Sequence, residues 1–242
     1  MSNSHLIMGK NEAILIDAQF SSKEAEKLVD LINTTGKKLS KIIITHPHPD
    51  HYYGLEVLGV KYGDTEITGG LRTIDYVKNT MKYWQGDKEE PPIFGRLTVL
   101  EGNSFKFEDR DVVFKTFTNG ESIENTVLYI PSLEMLFVGD LASNGVHMWL
   151  GENNLDKWLE QLRIIRSIGP ISYIYPGHGP VGTVDILDEA ERYILNFRNT
   201  LKDSNSFDEA VKRMKELYPD YEMTEILEGS VRSVMGPDNK IH

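Results

Sequence analysis

Apolar positions in this chain fall into two patterns, and the patterns alternate at the start. "HLIM" and "EAILI", residues 5–8 and 12–16, predict two short strands around a Gly-Lys-Asn turn. "SSKEAEKLVDLINTTG" then predicts a helix. Ser21 and Glu24 have capping-box spacing, Ala25, Leu28, Val29 and Ile32 fall on one face, and Gly36 is a natural stop. "KIIIT", 41–45, is a continuous β-branched run, the mark of a strand buried on both faces.

The middle of the chain is strand-rich. "RLTVL", "SFKF", "DVVFKTF", "TVLYI" and "EMLFVGD" are short runs parted by turn residues. "NLDKWLEQLRIIRSIG" predicts a helix with Leu155, Trp158, Leu162 and Ile165 on one face. "ISYIYPGHG" is a strand running into a Pro-Gly turn. From about residue 185 the chain is expected to be helical, with a second capping box at Ser206 and Glu209 and apolar positions 207, 211 and 214. No repeat, low-complexity tract or linker interrupts this order, so a single domain over 1–242 is expected. Residues 70–96 are the least regular, a helix followed by a charged loop ending in prolines. Within Tyr76 to Phe94, the apolar bodies Tyr83, Trp84 and Phe94 suit a lid over a pocket, or packing into the nearby core.

Composition narrows the function. Hydrophobic residues are 40% of the 242, enough for a core, and the formal net charge is -11. An acidic surface repels phosphate backbones, so a nucleic-acid partner is not expected. There is no cysteine, which excludes disulfides, thiolate metal sites and Cys nucleophiles. The N-terminus lacks a long apolar h-region and no run reaches transmembrane length, so no membrane partner and a cytoplasmic location are expected.

The chemistry is concentrated in "THPHPDH", residues 45–51, directly after the buried run. Three of the seven histidines sit there, with an aspartate. On a tight loop beyond a strand they can converge, and the carboxyl end of a strand is where ligand sites of α/β sheets form. Neutral imidazole and carboxylate are ligands for zinc, iron and manganese. Pro47 and Pro49 fix φ and lower the entropy cost of holding the loop.

"THPHPDHYYG" resembles the His-x-His-x-Asp-His motif of the metallo-β-lactamase superfamily. The resemblance continues in order, through "ILIDAQF" with Asp17 ending a strand, "FVGD" with Asp140, and "YPGHGP" with His178, over roughly residues 12–182. It implies an α/β fold, a four-layer αββα sandwich with a one- or two-metal site at one edge of the β-sandwich. It departs in one place. Where the family has Gly-His-[Ser/Thr]-Pro-Gly, this chain has "NGESIENTVLYI", with Glu121 at the histidine position. The implied ligands are His46, His48 and Glu121 on one metal, Asp50, His51 and His178 on the other, and Asp140 between them. Glu124 is an alternative to Glu121, and Glu121 beside a single-metal site without ligating is another. His147, seven residues beyond Asp140, is read as substrate-facing or on the surface, with ligation as the alternative.

The implied activity is that of a metal-dependent hydrolase. A metal-bound hydroxide, oriented by Asp50, would attack a small ester, thioester, lactone or amide substrate. The implied cofactors are two divalent metal ions, zinc first, with iron or manganese as alternatives. The superfamily also includes nucleases, phosphodiesterases and diiron oxidoreductases, so fold does not settle reaction. The diiron enzymes replace the second histidine of the first motif, which here is His48, and no stretch of this sequence is expected to hold their flavin domain. A ligand-binding or regulatory protein with an altered metal site is the alternative from another class. The oligomeric state is not legible.

Overall fold

The strands expected from the β-branched runs all form. A computed structural model describes residues 2–84 and 93–236. Its first compact unit comprises Met1–Thr118 with Ser122–Leu133, and its second comprises Asn119–Glu121 with Glu134–His242. Among the described residues no helix is long and apolar enough to cross a membrane.

In the first unit, β1 (His5–Met8) pairs antiparallel with β2 (Glu12–Ile16). β2, β3 (Lys38–Ile44), β4 (Glu66–Gly69) and β5 (Leu97–Val99) then lie side by side in parallel. α1 (Ser22–Thr35) starts where expected, with both bonds of the Ser21–Glu24 capping box, and stops at Gly36, whose φ of 65° a residue with a Cβ would resist. Ala25, Val29 and Ile32 bury the face of α1, and Leu28 packs beside them. α3 (Leu55–Lys61) and α4 (Leu71–Trp84) add Leu55, Leu58, Ile74 and Val77 to the same core. Ile42, Ile43 and Ile44 of β3 are wholly excluded from solvent, as a two-faced strand requires. β6 (Ser104–Phe107), β7 (Arg110–Thr118) and β8 (Glu124–Ile130) form an antiparallel meander, with every residue of β8 buried.

In the second unit β9 (Met135–Gly139) and β10 (Tyr173–Pro176) run parallel, with α5 (Leu155–Arg166) between them in sequence. Leu155, Trp158, Leu162 and Ile165 of α5 are buried as the spacing predicted. Trp158 also donates its indole N–H to the Leu141 carbonyl at 2.8 Å. Three helices close the described chain, α6 (Asp185–Asp203), α7 (Phe207–Leu217) and α8 (Thr224–Met235). The capping box expected at α7 is only half made. Ser206 accepts from the Glu209 amide, but the Glu209 carboxylate accepts from the amide of Asn205, one residue earlier.

Candidate metal centre

The histidine motif begins one residue past β3, at the carboxyl edge of the parallel sheet. It is a loop followed by one helical turn, α2 (Pro49–Tyr52), with His48 at its N-cap and Pro49 in the position where a missing N–H costs nothing. The turn carries Asp50 and His51, while His46 and His48 lie on the loop before it. Ring centroids of His46 and His48 are 4.8 Å apart, and those of His46 and His51 are 4.2 Å apart. His51 Nε2 lies 3.5 Å from Asp50 Oδ2. The first unit therefore brings all four residues of the motif together.

Their orientation is set by Asp17, which the sequence marked only as the end of a strand. β2 and β3 are parallel neighbours, so the residue after β2 comes level with the residues after β3. Asp17 Oδ1 accepts from the Thr45 amide at 2.8 Å. Oδ2 accepts from the Thr45 hydroxyl and from His51 Nδ1, each at 2.8 Å. A carboxylate only accepts, so the His51 proton is on Nδ1. Thr45 has spent its one hydrogen on Asp17. The 2.9 Å contact between its oxygen and His46 Nδ1 must then be donated by the imidazole. One buried carboxylate thus fixes a proton on Nδ1 of both rings, and in the neutral rings that leaves the lone pair on Nε2, the form that ligates metals. Asp17 holds this place at a φ of 59°, a conformation that Asp tolerates better than most residues. The adjoining turn is clamped to α2 by the Ala18 amide on the His51 carbonyl at 2.7 Å. Gly54 is needed because a Cβ there would lie 1.9 Å from the Ala18 carbonyl oxygen.

The second unit gathers the remaining candidates. Pairing of β9 with β10 sets Pro176 opposite Gly139, so Asp140 and the turn holding His178 leave the sheet together. His178 Nε2 is 3.2 Å from Asp140 Oδ2. The Gly177 amide donates to the Gly139 carbonyl at 2.8 Å, and the Asn144 amide to the His178 carbonyl at 3.1 Å. Gly179 has φ 82°, and a Cβ there would lie 1.8 Å from the Asn144 carbonyl oxygen. Glu121 is 1% exposed and brings a carboxylate oxygen within 4.8 Å of one on Asp140. Its neighbour Gly120 lies so close to Gln161 of α5 that a Cβ would meet the amide oxygen at 2.1 Å.

Two alternative readings of the sequence change. Glu124 is a capping residue for α4, its carboxylate accepting from the Thr73 amide at 2.8 Å. The negative charge sits at the positive end of that helix, where it is stabilising. His147 is neither a surface residue nor exposed to a substrate. It is 2% exposed, hydrogen-bonds the Tyr193 hydroxyl through Nδ1 at 2.8 Å, and packs edge-on against Tyr221. Burial, with the nearby Lys215 charge adding to it, pushes its pKa down to about 4, so the ring is neutral at pH 7. Buried histidine is hard to foresee from one sequence, since nothing local in "SNGVHMWL" announces the tyrosines that cover it. The side chains of Tyr83, Trp84 and Phe94, the proposed lid, lie outside the described residues.

The model of the Metallo-beta-lactamase superfamily matches residues 1–178. Among curated proteins, the chain is 26% identical over 196 residues to a metallo-beta-lactamase type 2 of Bacillus cereus, covering 77% of this chain and 70% of that one. It is 32% identical over 92 residues to the exodeoxyribonuclease WalJ of Streptococcus pneumoniae, 38% of this chain and 34% of that one. It is 29% identical over 107 residues to a hydroxyacylglutathione hydrolase of Nitrobacter winogradskyi, 42% of each. Among solved structures, TMB-1 superposes with a TM-score of 0.64 at 26% identity, covering 80% of this chain and 85% of that one. The metallo-beta-lactamase from Pontibacter korlensis gives 0.65 at 20% identity, covering 79% and 86%, a likeness of fold alone. The α/β class and the αββα sandwich expected from the sequence are the fold of these structures.

Proposed function

The chain belongs to the metallo-β-lactamase superfamily and is a metallohydrolase, and on that premise we propose that it hydrolyses a small ester, thioester, lactone or amide at a centre for two divalent metal ions, zinc first. In this reading His46, His48 and Glu121 would hold one ion, Asp50, His51 and His178 would hold the other, and Asp140 would serve both.

The observation that carries the proposal is the Asp17–Thr45 network. A buried carboxylate has a cost in desolvation, and this one spends its second oxygen on holding the protons of two imidazoles at Nδ1. It is the arrangement that metal-ligating histidines require. The donors are all imidazole and carboxylate, which fits zinc, iron or manganese.

Bound ions would supply a water of lowered pKa and a Lewis acid for the substrate oxygen. The residues do the rest. Asp50, half-buried on α2, accepts a hydrogen bond from the attacking water and aims it. The water oxygen joins the acyl carbon, the bond to the leaving oxygen, sulfur or nitrogen breaks, and the proton passes to that leaving atom. His46 and His51 keep their protons on Nδ1 throughout, because Thr45 and Asp17 accept them there.

One relative is an exodeoxyribonuclease. A chain of net charge -11 is poorly suited to a phosphodiester polymer, which favours the small uncharged linkages. The test is turnover of a panel holding a nitrophenyl ester, an acyl thioester, an acyl lactone, a β-lactam and single-stranded DNA. One of the first four should be cleaved, with loss on chelation and recovery with zinc. Cleavage of DNA alone, or of nothing, would overturn the proposal.

A further inference from the structure

The family match ends at residue 178, yet the loop that grips the turn around His178 is itself fastened by residues beyond it. Residues 141–154, which follow Asp140, contain no helix or strand of their own. Loops of about this length without internal structure are uncommon in compact units unless they serve a function. This one is fastened at four places to the C-terminal helices and the turn between them. His147 donates its amide to the Glu222 carbonyl at 2.9 Å, and the Glu222 amide donates back to Gly145 at 3.1 Å. His147 Nδ1 meets the Tyr193 hydroxyl of α6 at 2.8 Å. Leu150 donates its amide to the Ser230 hydroxyl of α8 at 2.9 Å, and the Ser233 hydroxyl donates to the Gly151 carbonyl at 3.0 Å. Trp149 lies over Gly229, where an added Cβ would approach its ring to 3.0 Å. At its other end the same loop grips the histidine turn. Asn144 donates its amide to the His178 carbonyl at 3.1 Å and its side-chain N–H to the Pro180 carbonyl at 2.9 Å.

We infer that α6 and α8, with the turn that precedes α8, act as a positioning element for the metal-binding turn. They fix the 141–154 loop through His147, Tyr193 and Ser230, and the loop fixes His178 through Asn144. None of the three is a catalytic residue. His147 is suited to the task because its ring is covered by Tyr193 and Tyr221 and bonds a hydroxyl that no smaller apolar residue would reach. The inference rests on the reading of Asp140 and His178 as ligands, and its test separates the two.

The test uses the full zinc-loaded chain in four variants, His147→Ala, His147→Asn, Tyr193→Phe and Arg213→Ala. Zinc affinity is read by competition with a chromogenic chelator, and amide hydrogen exchange over 141–151 and 177–180 is read on the same samples. His147→Ala should weaken the more labile zinc about tenfold, the scale of losing an outer-shell partner. It should speed exchange in both segments. His147→Asn, which can still bond the Tyr193 hydroxyl, should recover part of both effects. Arg213→Ala breaks a 2.6 Å pair with Glu209 on α7 and should change neither. If His147→Ala fails to fold, Tyr193→Phe, which removes one hydroxyl, carries the test. Faster exchange confined to 141–151, with 177–180 and zinc affinity unchanged, would overturn the inference. If the parent chain binds no zinc, the ligand reading fails, and exchange over 177–180 still decides whether the helices position that turn.

Discussion

His51 Nδ1 lies 2.8 Å from Asp17 Oδ2, although Asp17 follows β2 and His51 lies on α2, 34 positions along the chain. The same carboxylate holds Thr45 by two bonds, and Thr45 in turn receives the His46 ring. Asp17→Asn keeps a residue that tolerates the φ of 59° but replaces one acceptor oxygen with an NH2 donor. That group would face either the donors of Thr45 or the His51 N–H. Metal affinity should fall about 10–100-fold, measured by chelator competition. Unchanged affinity would mean that Asp17 does not set the tautomers.

Glu121 and Glu124 are three residues apart and should behave oppositely. Glu124→Ala strips the cap from α4 and leaves the buried Thr73 amide without its acceptor. It should cost about 1–3 kcal/mol in chemical denaturation and leave metal content unaltered. Glu121→Gln should lower metal content with a smaller effect on unfolding. A reversed pattern would make Glu124 the ligand.

The metal preference of the centre should follow Glu121. A carboxylate in place of an imidazole adds negative charge and weakens the Lewis acidity of its ion, so the attacking water deprotonates at higher pH. Glu121→His should shift preference toward zinc over manganese and move the rise of rate with pH to lower pH. Reconstitution with each metal and pH–rate profiles of both proteins are the check, and identical profiles would place Glu121 outside the centre.

His147 gives the metal-free protein a pH dependence. In the unfolded chain the ring takes its proton near its ordinary value of 6.5, and in the folded chain burial delays this to about 4. Between those values the unfolded state binds more protons, so stability present above pH 6.5 is lost as pH falls toward 4. The share of His147 is on the order of 3 kcal/mol. His147→Gln should flatten that acid arm in denaturation series from pH 7.5 to 4.5, and parallel curves would assign the acid sensitivity elsewhere.

The elements that the sequence revealed are those whose signals are local. The Ser21–Glu24 box, the Gly36 stop, the isoleucine run and the face of α5 each depend on residues within one element. The motif histidines were legible because four ligand-type side chains within a few residues have few structural uses. What stayed hidden depends on tertiary neighbours. Asp17 could be read as ending a strand, but its bonds need the parallel register of β2 with β3. Glu124 reads like a ligand until α4 arrives with its N-terminus. The one-turn helix under Asp50 and His51 is too short for any periodicity to announce.

The most direct measurement is X-ray data collected at the zinc edge from crystals of the zinc-loaded protein. Two anomalous peaks are expected. One should lie about 2.0–2.2 Å from donors of His46, His48 and Glu121, and the other should be similarly placed on Asp50, His51 and His178, with Asp140 touching both. A single peak, or two peaks with the Glu121 carboxylate beyond bonding distance of either, would contradict the proposed centre.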